Sequence, residues 1–344
     1  MIKRRYCTYK ILFLGLLFNL QLSLYGQTYS LDSLLRANRY EIVLENGLYS
    51  GPGLKFLSDA AANSQFFNVC EEHNVSELNN LSSYLFEMFH NQFNYNYMVL
   101  EQGVAISGFF GSQKNRGDVE AISDVFRRYP QSPTFATDEE LQLIAGVGKI
   151  SSSPFNPIWG IDQDLGALHI LEELISLAPN EKAKNEAQKL ADLARHYEMD
   201  RINGDTLFMA MVATPDLFKE LPDLFSPATG SRTKFFIDAL QRSTRIYYNN
   251  IQGRNGKPTY YKSVSERENS MKLRFMEYYR KAKNEGETSI KVYVKMGHYH
   301  LLRGINKFNV PTFGNFLSEF AISNNTNSFI LSSYEISGPE KWEI

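Results

Sequence analysis

Apolar positions along this chain follow two spacings, and each predicts a different element. Phe66-Phe67-Asn68-Val69-Cys70, Tyr97-Met98-Val99-Leu100 and Ile158-Trp159-Gly160-Ile161 are short, almost continuous apolar runs rich in aromatic and β-branched residues. Such runs read as strands buried on both faces. Ser289 to Lys295, where Ile290, Val292 and Val294 alternate, and Asn327 to Ser332, around Phe329-Ile330-Leu331, read as two further strands. Between them the spacing changes to that of helices. Leu54 to Ala62 and the set Leu78, Leu81, Leu85, Met88 and Phe89 come first. Leu165 to Leu177, Glu181 to Tyr197, Thr233 to Tyr248 and Ser265 to Lys283 follow. The last opens on Ser265-Glu266-Arg267-Glu268, a capping-box pattern.

The first strand, helix and second strand make a βαβ unit, which argues for parallel pairing. Residues 105–285 hold one strand among many helices and read as a helical elaboration. The expected fold is α/β, a small mainly parallel sheet with flanking helices and a large helical insertion. Residues 27–50 read as an irregular lead-in with a short helix around Leu31, Leu34 and Leu35, followed by a turn at Gly51-Pro52-Gly53.

The N-terminus adds a leader. Lys3, Arg4, Arg5 and Lys10 precede a mostly apolar stretch from Ile11 to Leu24, which ends on Leu24-Tyr25-Gly26. This is the layout of a cleavable secretory signal over residues 1–26. Residues 27–344 then form one α/β domain, exported to the periplasm or the extracellular space. Asn19, Gln21 and Ser23 interrupt the apolar run, so no membrane span is expected after cleavage. Cleavage removes Cys7 and leaves Cys70 alone, so no internal disulfide can form and stability must come from a core. The formal net charge is −2, and losing the leader's basic residues makes the remainder more acidic. No basic stripe remains for nucleic acid.

Candidate chemistry gathers at the predicted strand ends. His73 follows the first strand, Glu101 ends the second, Asp162 ends the third, and His298 and His300 follow the fourth. In a parallel sheet these ends share the carboxyl edge, where open α/β folds bind ligands. Imidazole supplies a base that titrates near neutrality, and a carboxylate such as Glu71 orients it. The same groups could instead hold a divalent metal. His90, His169 and His196 lie within helical patterns without an acid from a strand end, and read as satisfied polar residues. Gly146-Val147-Gly148-Lys149 lacks the spacing of a phosphate loop, and no Gly-x-Ser-x-Gly elbow is present. Cys70, at the end of an apolar strand, reads as a buried structural thiol.

In this order the motifs resemble the erythromycin-esterase-like group, related to the TraB/Tiki and ChaN-like proteins. Cys70-Glu71-Glu72-His73-Asn74-Val75-Ser76-Glu77 is similar to the family's Gly-Glu-x-His-Gly strand end with a following Glu. Val99-Leu100-Glu101, Gly160-Ile161-Asp162, Arg267-Glu268-Asn269-Ser270-Met271 and Gly297-His298-Tyr299-His300 resemble its later motifs. Cys70 and Asn74 stand where the family has glycines. The resemblance implies activities from macrolide ester hydrolysis to metal-dependent peptide cleavage and haem binding.

The expected function is hydrolysis of an ester or amide in a small-molecule or peptide substrate. His73 is the expected general base, oriented by Glu71, with Glu101 supporting an imidazole and His300 polarising the carbonyl. Arg267, Asp162 and His298 are expected around the substrate. The alternatives are a non-catalytic binder with haem on His298 or His300, and a scaffold that meets a partner through its tyrosines.

Overall fold

Asn94 shows how the chain turns from helix to sheet at the first crossover. It takes the left-handed conformation at φ 61° and donates its N–H to the carbonyls of Phe89 and His90, closing a helix so that a strand starts at Tyr95. Asparagine tolerates this backbone better than other non-glycine residues. A computed structural model describes residues 31–73, 75–199 and 207–333. The expected leader, residues 1–26, and Asn74 lie outside the described residues.

Two units are distinguished, one ending at Leu57 and one beginning at Ser58. The first carries helix α1 (Leu31–Ala37) and an antiparallel hairpin of β1 (Val43–Glu45) and β2 (Leu48–Ser50). Asn46 and Gly47 both have positive φ between these strands. That is the two-residue turn such a pair favours.

The second unit is the α/β domain. After helix α2 (Pro52–Ala62) come β3 (Phe66–Glu71), α3 (Ser76–Phe93), β4 (Tyr95–Gly103), α4 (Val104–Phe110), α5 (Val119–Arg128), α6 (Asp138–Ile150) and β5 (Ile158–Asp162). Helices α7 (Leu168–Ser176), α8 (Glu181–Met199), α9 (Leu221–Phe225), α10 (Arg232–Arg254) and α11 (Tyr260–Asn284) lead to β6 (Lys291–Gly297). The short α12 (His298–Leu301), α13 (Phe313–Ser323) and β7 (Ser328–Ser332) complete it. Among the described residues of 105–285, β5 is the one strand, as the pattern predicts. The expected start of the last long helix at Ser265 is corrected: α11 begins at Tyr260, just after Pro258, so Ser265 lies inside the helix and caps nothing.

The five strands run β5-β4-β6-β3-β7, every pair parallel. The predicted β3-helix-β4 unit is therefore parallel, but β6 lies between its two strands. Both faces are covered. Phe66, Val99, Val292, Val294 and Met296 face a cluster with Met271 and Phe275 of α11 and Phe313 and Leu317 of α13. On the opposite face, Phe67 and Tyr293 pack with Phe86 and Phe89 of α3. At Gly160, a Cβ would lie 1.9 Å from Ser107 Oγ and 2.5 Å from the Gly103 carbonyl, so α4 lies flat on β5 only because that position has no side chain. Among the described residues no helix is long and apolar enough to cross a membrane.

Candidate functional site

Parallel register brings the strand ends level. Glu71 pairs with Gly297 and Gly103 with Asp162, so β3, β4, β5 and β6 deliver their last side chains to one edge. Strand alternation then selects the face. Glu71 shares the side of Phe67 and Val69, and Lys295 that of Tyr293.

His73 follows β3 with its side chain 42% exposed, and its Nδ1 lies 3.5 Å from Glu71 Oε1. That is too long for a strong hydrogen bond but close enough to orient the ring. Phe135 packs on the imidazole, with ring centroids 4.6 Å apart. The ring also lies against Gly297, where a Cβ would sit 2.9 Å from Nε2 and 3.2 Å from Glu101 Oε2. Glycine at 297 thus lets His73 and Glu101 approach each other. The Glu71 contact, then the Glu101 charge, raise the His73 pKa above its usual 6.5 despite partial burial.

Glu71 is held from behind. Lys295, buried at 1% exposure, places Nζ 2.5 Å from Glu71 Oε2 and 3.0 Å from Glu140 Oε2 of α6. Burial opposes the ammonium, but Glu140 and Glu71 outweigh it and raise its pKa. Burial also lifts the Glu140 carboxyl, against the pull of Lys295.

Glu101 occupies the centre. One oxygen accepts the Gly297 N–H at 2.8 Å and the other accepts from Arg267 at 2.8 Å, with His300 Nε2 at 3.5 Å. Burial pushes this carboxyl up, but His300, Arg267 and the Gly297 N–H hold it well below the usual carboxylate range. His300 Nδ1 meets Glu268 at 2.7 Å, and the other Glu268 oxygen accepts the Phe313 N–H at 2.8 Å. Burial and Arg267 disfavour the His300 charge, yet Glu101 and Glu268 prevail and lift its pKa to about 9. Both His300 nitrogens are turned to carboxylates, Nε2 to Glu101 and Nδ1 to Glu268, which favours the imidazolium.

The structure thus brings Glu71, His73, Glu101, His300, Arg267 and Asp162 together. Arg267 and Asp162 are engaged with each other, Nε at 2.9 Å and Nη2 at 2.5 Å. The Arg267 guanidinium is thus shared between Asp162 and Glu101. His298 Nδ1 lies 3.1 Å from the Glu71 carbonyl and ties the ends of β6 and β3. Lys295, Glu140 and Glu268 were not predicted. The signal for Lys295 was a lysine in phase with buried positions of a strand, which demands carboxylate partners.

His169 is a buried polar residue with partners, as read, but one of them is an acid. It is fully buried, 3.5 Å from Asp164 just beyond β5, with Nδ1 2.9 Å from Ser132 Oγ. Cys70 is a buried free thiol whose pKa burial pushes up to about 11. Gly146 to Lys149 lies inside α6. Among the described residues, Glu71, His73 and Glu101 form the one group with metal-donor atoms close enough to share an ion, all within 4.8 Å.

No protein-family model matches the chain, and no curated protein does. Solved structures do. A mutant of the erythromycin esterase EreC in its open conformation superposes with TM-score 0.50 at 14% identity, over 82% of this chain and 74% of that one. A succinoglycan biosynthesis protein superposes with TM-score 0.50 at 15% identity, over 82% of this chain and 68% of that one. The five-stranded parallel sheet and its helices thus share the fold of these solved structures, an erythromycin esterase among them.

Proposed function

We propose that this protein hydrolyses an ester or amide with water activated by His73. The observation that carries the reading is the pairing of two unlike imidazoles across Glu101. His73 is open to solvent beside one oxygen of that carboxylate, and His300 is buried beside the other, where Glu101 and Glu268 raise its pKa to about 9. Separating a base from a cation in this way suits acid–base catalysis. The esterase activity named for EreC, a fold neighbour, supports the same reaction class.

In this reading His73 takes a proton from water, and the resulting hydroxide attacks the carbonyl carbon. Glu71 holds the ring, and Glu101 steadies the imidazolium that forms. The cationic pair Arg267 and His300 acts on the developing oxyanion through its field, because their N–H groups already serve carboxylates. His73 then returns its proton to the leaving oxygen or nitrogen.

The donor set also fits a divalent cation. Glu71 Oε1 is buried with no hydrogen-bond partner, and two carboxylate oxygens with one imidazole nitrogen suit such an ion. A bound ion would supply a more acidic water. Export remains part of the proposal and rests on the basic and apolar segments of residues 1–26.

A panel of nitrophenyl esters and chromogenic peptides, assayed before and after chelation, tests the reading. Hydrolysis that survives chelation is the expected result, since Glu71 and Glu101 already provide the charge around His73. Hydrolysis that returns only with a divalent ion assigns the water to a metal. A folded protein that cleaves nothing in the panel, with or without added ions, contradicts the proposal.

A further inference from the structure

Beside His300 the domain opens a cleft of about 490 Å³ whose lining divides sharply by chemistry. That volume lies within the range of roughly 300–1,000 Å³ typical of small-molecule sites. Its buried part is formed by Arg267, Glu268 and His300. These charges are matched internally, Arg267 by Asp162 and Glu101, and His300 by Glu268 and Glu101.

The walls are apolar. Ile246, Val264, Met211 and Phe308 line them, and Met211 is 60% exposed. An exposed methionine in a cleft is an adaptable surface for an alkyl or aryl group.

The solvent end is cationic. Arg254 closes α10 and Lys307 lies beyond α12, both exposed and both lining the cleft. Lys307 Nζ sits 5.1 Å from the Tyr299 ring and 5.3 Å from the Phe308 ring. Neither cation takes part in an ion pair among the described residues, whereas Arg245, on the same helix as Arg254, is paired with Glu266 at 2.8 Å. Glu268 is the one carboxylate among the described lining residues, and His300 and the Phe313 N–H occupy it.

We infer that the cleft selects an amphipathic anion, with its apolar portion against Ile246, Val264, Met211 and Phe308 and a carboxylate or phosphate at Arg254 and Lys307. The inner end of the cleft, at His300, lies across Glu101 from His73, so as a statement about substrate the inference rests on the hydrolase reading. It excludes cationic substrates, because the cleft offers an incoming ammonium no unmatched carboxylate.

Binding separates this inference from the reaction. Isothermal titration calorimetry at low salt compares phenylbutyrate, phenylbutanol and phenylbutylammonium, three probes of one apolar body and different charge. Phenylbutyrate is expected to bind about tenfold more tightly than the alcohol, a difference of about 1.4 kcal/mol, and the ammonium most weakly. Added salt should reduce the preference. Arg254→Glu with Lys307→Glu should abolish or reverse it, and Arg254→Gln with Lys307→Gln should remove it without reversal. Equal binding of acid and alcohol, preference for the ammonium, or no binding of any probe overturns the inference. If the acid is preferred but no ester is cleaved, the hydrolase reading fails and the ligand class stands. If esters are cleaved without regard to charge, the reverse holds.

Discussion

Replacing His73 with alanine is expected to lower kcat/KM for a cleaved ester by about 10²–10⁴-fold, the usual contribution of a positioned general base. The side chain is 42% exposed, so its removal leaves no sealed cavity, and a loss of this size reports chemistry more than folding. Glu71→Gln should cost less. It keeps a side chain near Nδ1 but loses the charge that favours the imidazolium and the ion pair to Lys295. Thermal unfolding of each variant beside its kinetics keeps the two effects apart. A folded His73→Ala protein with unchanged activity contradicts the assignment.

The largest stability effect is expected at Lys295. Lys295→Met removes the cation between Glu71 and Glu140 and leaves two buried carboxylates facing one another. Breaking a buried pair from one side costs about 3–5 kcal/mol, because the remaining charge has neither water nor partner. Denaturant unfolding measures it. The deficit should shrink at acidic pH, where protonation relieves the repulsion, and adding Glu140→Gln to Lys295→Met should restore part of the loss. Strict additivity of the two substitutions would show that the contact carries no coupling.

Much of the sheet was legible because a strand buried on both faces is written as consecutive apolar residues, as in Phe66 to Cys70 and Ile158 to Ile161. The order of strands was not. β6 enters between β3 and β4 from far along the chain, and no local pattern records that choice. The hairpin around Asn46-Gly47 was written in its turn residues and passed over. Helix α13 also went unread, although Phe313, Leu317 and Ala321 are spaced one turn apart and Thr312 caps Asn315.

At the site, acids and imidazoles at strand ends were visible because the carboxyl edge is a property of parallel sheets. Their partners were not. Glu140 comes from a helix in an unpatterned stretch, and Glu268 imitates a capping residue while serving His300 and Phe313. Arg267 was legible as a charge near Asp162 and Glu101. The geometry shows that both of these carboxylates accept from its guanidinium.

The pH dependence of kcat/KM for a hydrolysed ester tests the central claim most directly. His73 must be neutral to accept a proton, so the rate should climb with pH through a value above 6.5, where Glu71 and Glu101 hold the proton longer. His300 must stay protonated, so the rate should fall as pH passes about 9. The account predicts a bell whose rising limb vanishes in His73→Ala. A flat profile through neutrality, or a rising limb unchanged in that variant, would contradict it.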